Sequence, residues 1–208
     1  MDTALQNHAE TAHSETSRAK RLKAATTETH DRLDKRIMAG QPFASVANYG
    51  RFLAVQHQFH RDIDALYDNA ALSALLPDLA DRRRFGQIGQ DMKDLALDLP
   101  QPDEDPRFVA DAVDDAVDLA TALGWLYVAE GSNLGAAFLF KIAKALGLDE
   151  NHGARHLAGH PDGRAQHWRS FTGALDGVTL DAAEEARVVD GANAAFRRVH
   201  ALVEQQYG

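Results

Sequence analysis

The chain has 208 residues, 45% of them hydrophobic, enough for one domain with a sizeable core. It contains no cysteine, which excludes disulfides, thiolate zinc sites, iron–sulfur clusters and a cysteine nucleophile together. A net charge of −9 argues against a nucleic-acid backbone as partner. No apolar run approaches the length of a bilayer span, and residues 1–10 lack the basic start and apolar stretch of a signal peptide, so a cytoplasmic protein is expected.

Residues 1–14 are polar and read as a flexible N-terminal tail, leaving one domain over 15–208. Helical spacing predicts a first helix over about 15–38, stopped by the turn signal Ala39-Gly40-Gln41-Pro42. A second covers about 46–68, with Phe52, Val55, Phe59, Ile63, Leu66 and Tyr67 in register. Pro77 breaks a short helix, about 80–97 forms another, and Pro100 to Pro106 is a loop by composition. A long helical stretch interrupted by glycines follows from about 110 to 146. After a polar loop come a helix near 163–176 and a last one near 181–205, opened by the capping-box pair Asp181 and Glu184. No segment reads as a strand, so the fold class is a single all-α domain without internal repeat.

Two helices carry the chemistry. On the first, Lys23, Thr26/Thr27, His30, Leu33/Asp34 and Ile37 share one face at helical spacing. A neutral imidazole facing inward can ligate a metal, and Asp34, one turn on, can accept a hydrogen bond from its second nitrogen. The plainer reading of His30 is a core histidine with a satisfied hydrogen bond. Arg18, Lys20, Arg21, Lys23, Arg32, Lys35 and Arg36 make this helix basic inside an acidic protein. Such a run is usually a solvated face, and it also suits an anionic ligand or a small acidic redox partner.

The other helix contains Gly124, Gly131 and Gly135, which fall within one broad face. Each glycine costs about 1 kcal/mol relative to alanine in a helix. The strip it leaves lets backbone approach something flat, and a kink near 131–135 is expected. Close helix packing is the competing explanation, but it does not by itself require Gly131 and Ser132 together. An inward histidine opposite a glycine-lined helix fits haem, with the imidazole on one side of the iron and room for a small gas on the other. Lys23 lies about 10 Å from His30 along the helix, a suitable distance to meet a propionate. Tyr127, one turn before Gly131, can donate near the same edge.

From about Arg18 to the C-terminus the chain resembles the bacterial biliverdin-producing haem oxygenases. The segments that carry the resemblance are Thr26-x-x-x-His30-x-x-Leu33-Asp34, Pro42-Phe43, Gly124 through Phe138, Gly153-Ala-Arg-His-Leu157 and Gly163-Arg-Ala-Gln-x-Trp168-x-Ser-Phe171. The resemblance implies a haem oxygenase-like fold with haem held between a proximal and a kinked distal helix. Haem would be cofactor and substrate, opened to biliverdin, carbon monoxide and ferrous iron by dioxygen and external electrons. His30 maps onto the proximal iron ligand and Asp34 onto its acidic partner, while Gly131 and Gly135 map onto the distal glycines. Phe196 is a candidate for the pocket wall. The electron donor would be a ferredoxin or a flavin-dependent reductase, and the product could supply a bacteriophytochrome.

Two departures from the family pattern bear on mechanism. Ser132 stands where mammalian relatives carry an acid, so the proton relay must differ. In one branch of the family, lysines rotate the haem in its plane, but the matching positions here are Met38 and Ile142. With Lys23 and Tyr127 as the propionate contacts, the IXα isomer is expected. His57 and His60, three apart, form a possible metal clip, although a fortuitous pair is the simpler account. His152, His156, His160 and His167 fall in a polar region where solvent or hydrogen-bonding roles are the default. The paired Glu-x-x-His motif of di-iron bundles is absent, and thiamine-degrading relatives of the fold would need the missing cysteine. A non-catalytic haem carrier or sensor is the alternative function.

Overall fold

A computed structural model describes residues 17–76, 78–102, 104–109 and 117–208. The predicted tail, the break at Pro77 and the predicted helical start at 110–116 lie outside the described residues. The helices are α1 (Arg18–Ala39), α2 (Val46–Ile63), α3 (Ala70–Leu75), α4 (Phe85–Asp94), α5 (Leu119–Ala143), α6 (Arg164–Gly177) and α7 (Ala182–Tyr207). Among the described residues there is no strand, only an isolated bridge between Asp149 and Gly153.

Local chemistry sets most of the boundaries. Ser17, Ser45 and Asn69 each accept a first-turn backbone N–H with the side chain, opening α1, α2 and α3. Asp181 and Glu184 form the expected capping box at the start of α7. α1 ends at Gly40, where a Cβ would stand 2.6 Å from the ring of Tyr207, so the turn and the last residue of α7 fit only without a side chain. Two predicted helices are shorter than expected. The second stops at Ile63 and tightens into a 3-10 turn over Asp64–Asp68. The one predicted over 80–97 is a 3-10 turn at Ala80–Arg82 followed by α4 alone. Arg83 sits between them in an extended conformation, its guanidinium drawn to Asp64 at 2.6 Å and Asp68 at 2.9 Å.

α7 is the spine. α1 runs parallel to it, tied near one end by Arg18 to Glu185 (2.8 Å) and near the other by Arg36 to Glu204 (2.6 Å). Arg18 therefore departs from the solvated face expected of the basic run. It is buried, and it also donates to the carbonyl oxygens of Leu175 and Val178 at the C-terminal end of α6. The main core joins Leu22 and Leu33 of α1, Phe59 and Ile63 of α2, Leu123 and Leu126 of α5, and Leu202 of α7.

α5 crosses α7 at backbone contact. A Cβ on Gly124 would lie 2.2 Å from the Val188 oxygen, and one on Gly191 would lie 2.4 Å from the Thr121 oxygen. Gly124 is thus a packing glycine and does not belong with the strip it was grouped with by spacing. Gly124→Ala is expected to destabilise the fold by about 1–3 kcal/mol through overpacking, measured by urea unfolding.

Candidate haem site

His30 projects from α1 at the edge of that helix's buried face, which is formed by Arg18, Leu22, Thr26 and Leu33. Its side chain is 54% exposed, so it is not a core histidine. The Nδ1 edge faces carboxylates, with Asp34 at 3.5 Å and Asp31 at 3.7 Å. Partial burial pushes the Asp34 carboxyl above its ordinary pKa, while His30 pulls it down and Asp31 raises it further. With Nδ1 turned toward carboxylates, Nε2 is the nitrogen left to bind a metal. Phe196 of α7 meets the imidazole edge-on, ring centroids 5.8 Å apart, and is itself buried. The contact fixes the ring without closing over it.

On α5, spacing puts Gly131, Leu134, Gly135 and Phe138 along one strip. A Cβ on Gly135 would meet nothing within 4 Å, and one on Gly131 would touch only the Trp168 ring at 3.8 Å. Protein packing therefore does not explain these two glycines, in contrast to Gly124. Leu134 and Phe138 are exposed apolar side chains on the same strip, and Met38, two turns past His30, is another. Such surface on two helices braced by α7 calls for an apolar occupant with a central metal. The residues present fit haem. A separate cavity of about 400 Å³, lined among others by Gln58, Leu97 and Gln206, contains none of the candidate residues.

The remaining candidates are placed less directly. Lys23 is exposed on α1, two turns before His30. Tyr127 is buried one turn before Gly131, its ring 5.7 Å from Trp168, and burial pushes its hydroxyl pKa up. Ser132 is exposed and donates from Oγ to the Ala129 carbonyl at 2.7 Å, so its proton is engaged within its own helix. α5 is assigned as one α-helix through 131–135.

Sequence reasoning missed the polar interior directly behind the distal strip. Glu130, the residue before Gly131, is buried and ion-paired with buried Arg82 at 2.7 Å. Arg82 also reaches Asp78 and the His167 carbonyl. His167 lies 3.8 Å from Glu130 and stacks on His160 at 4.3 Å. Glu130 Oε1, Arg84 Nε, Tyr67 Oη, His60 Nδ1 and His156 Nε2 are buried with no protein partner. Groups of this kind are costly to leave unmade and are normally satisfied by internal water. An acid next to a glycine in an apolar helix was the one available signal for this cluster.

Buried His60 and partly buried His167 make stability pH-dependent. Burial, with nearby arginine charge, lowers His60 from 6.5 to about 3 and His167 to about 4. The unfolded chain then binds protons that the folded one refuses, so their contribution is full above about pH 6.5 and drains as pH falls toward 4 and 3. Unfolding midpoints should drop across that window, and His60→Leu should flatten the slope. His57 and His60 do not form a metal clip with a third ligand, for among the described residues no group of three His, Asp or Glu side chains could hold a metal ion. His156 is fully interior and paired with Asp91 at 2.7 Å, a hydrogen-bonding role rather than a solvent one.

Residues 16–205 match the model of the heme oxygenase family, and the chain belongs to that family. It is 46% identical to heme oxygenase PigA of Pseudomonas aeruginosa over 190 residues, 91% of this chain and 93% of that protein. The crystal structure of the NO- and CO-bound heme oxygenase from Neisseria meningitidis superposes with a TM-score of 0.85 at 43% identity, covering 92% of each chain. The protein is a haem oxygenase that degrades haem to biliverdin, with haem as both substrate and prosthetic group. No helix of the described residues is long and apolar enough to cross a membrane.

Proposed function

We propose that His30 would hold the iron of a haem bound between α1 and the Gly131–Gly135 segment of α5, with biliverdin IXα as the main product. The observation that carries this reading is the contrast between the glycines. Gly131 and Gly135 keep a helix bare where the protein itself asks for nothing, and α1, packed on the same α7, presents an exposed histidine beside a carboxylate.

Bound haem supplies the iron that activates dioxygen and the porphyrin carbon that is oxidised. The protein's part is to hold, orient and deliver protons. Asp34, 3.5 Å from His30 Nδ1, is placed to favour the tautomer that presents Nε2. Phe196 limits rotation of the imidazole. Gly131 and Gly135 admit a small ligand but little more, and the backbone around them sets the direction in which it can lean. Ser132 Oγ donates its hydrogen bond to the Ala129 carbonyl, so proton delivery falls to the polar interior around Glu130, Arg82 and Arg84.

Lys23 and Tyr127 would hold the propionates, and Met38 and Ile142 offer no competing cation. This supports the IXα orientation. Isomer analysis of the biliverdin by HPLC should show mainly IXα, and a predominance of β or δ isomers would overturn the assignment. The exposed cations of α1, Lys23, Arg32 and Lys35, suit an acidic ferredoxin or a flavin-dependent reductase as electron source. A cytoplasmic setting, a single domain over 15–208 and delivery of product to a bacteriophytochrome complete the proposal.

A further inference from the structure

The Gly131–Gly135 segment is buried only through Asn133, and its other residues are open or partly open. Ser132, Leu134, Gly135, Ala137 and Phe138 are all exposed, and glycine weakens the helix that must position it. Side chains of α6 reach it. Arg164, the first residue of α6, donates from Nη1 to the carbonyl oxygen of Asn133 at 2.8 Å. Its Nη2 donates to the carbonyl oxygen of Leu157. Asn133 lies midway between the two glycines, and its carbonyl also faces the N–H four residues on in a regular helix. No carboxylate of the described residues lies within ion-pairing distance of Arg164, so its charge is spent on carbonyl oxygens. One turn further along α6, the Trp168 ring lies beneath Gly131.

We infer that Arg164 is a positioning residue, a clamp that fixes the height and direction of the distal glycine segment over the haem through the Asn133 carbonyl. The inference rests on the site proposed above, but its first test does not. In haem-free protein, Arg164→Leu should accelerate hydrogen–deuterium exchange of the amides at 132–138 by about tenfold or more, as expected for loss of a charge-assisted hydrogen bond. Arg164→Lys, which keeps the charge and can reach one carbonyl, should restore part of the protection and serves as the second variant if the leucine form folds poorly. The second test uses carbon monoxide on the reduced haem complex as a probe. Arg164→Leu should broaden or split the C–O stretching band, and Arg164→Lys should narrow it again.

Unchanged exchange at 132–138, with loosening confined to 157–164, would show that Arg164 only ties down the loop before α6 and would overturn the clamp. A single narrow, unshifted C–O band in the leucine variant would overturn it equally. Failure of the haem reading would look different, since the unsubstituted protein would then give no Soret band at all.

Discussion

His30→Ala is expected to fold as the parent does while losing the Soret spectrum of a histidine-ligated haem and all ring-opening activity. The imidazole is half exposed, and its one ring contact is the edge-on meeting with Phe196. Its removal should therefore change unfolding free energy by no more than about 0.5 kcal/mol, the range of ordinary surface substitutions. Ligation is a different matter, because Nε2 is the nitrogen left open when Nδ1 faces Asp34 and Asp31. Added imidazole should restore the spectrum in part, which a merely misfolded variant would not allow. Asp34→Asn should fall between the two, since removing an outer partner of a metal-bound histidine typically costs about 10–100-fold in affinity or activity. A normal Soret band in His30→Ala would require another ligand.

Gly135→Ala should separate stability from activity in the opposite sense to Gly124→Ala. A Cβ at 135 meets nothing in the protein, so the substitution should stabilise the helix by up to about 1 kcal/mol. The same methyl group would stand in the space left for a ligand of the iron. Displacement of reacting groups by even about 1 Å can cost 10²-fold, and a fall in ring-opening rate of about 10- to 100-fold is expected. Unfolding midpoints together with biliverdin yield under a fixed reductant check both halves. A more stable variant with full activity would remove Gly135 from the distal wall.

How far the sequence reached depends on whether the determining contact is local. The all-α class, the start of α1, the turn after it and the α7 capping box follow from neighbouring residues, and all appear where expected. His30, Asp34 and Phe196 come together because α1 and α7 run in parallel, a relation that helical spacing alone does not fix. What spacing could not reveal was set by partners far along the chain. Arg18 reads as one more surface cation until the carbonyls of Leu175 and Val178 receive it. Arg83, paired with Asp64 and Asp68, divides a segment whose periodicity suggested one helix. Gly124 and Gly131 share a face, yet one is pressed against the backbone of α7 and the other faces a tryptophan ring at van der Waals distance. Spacing groups residues by direction, and only the fold says what stands opposite.

Reduction of the haem complex under oxygen tests the account most directly. Purified protein, loaded with ferric haem and given ascorbate or a reductase system with catalase present, should lose its Soret band as biliverdin absorbance rises and carbon monoxide is released. A Soret band that persists under those conditions would contradict the account, leaving a protein that holds haem at His30 without opening it.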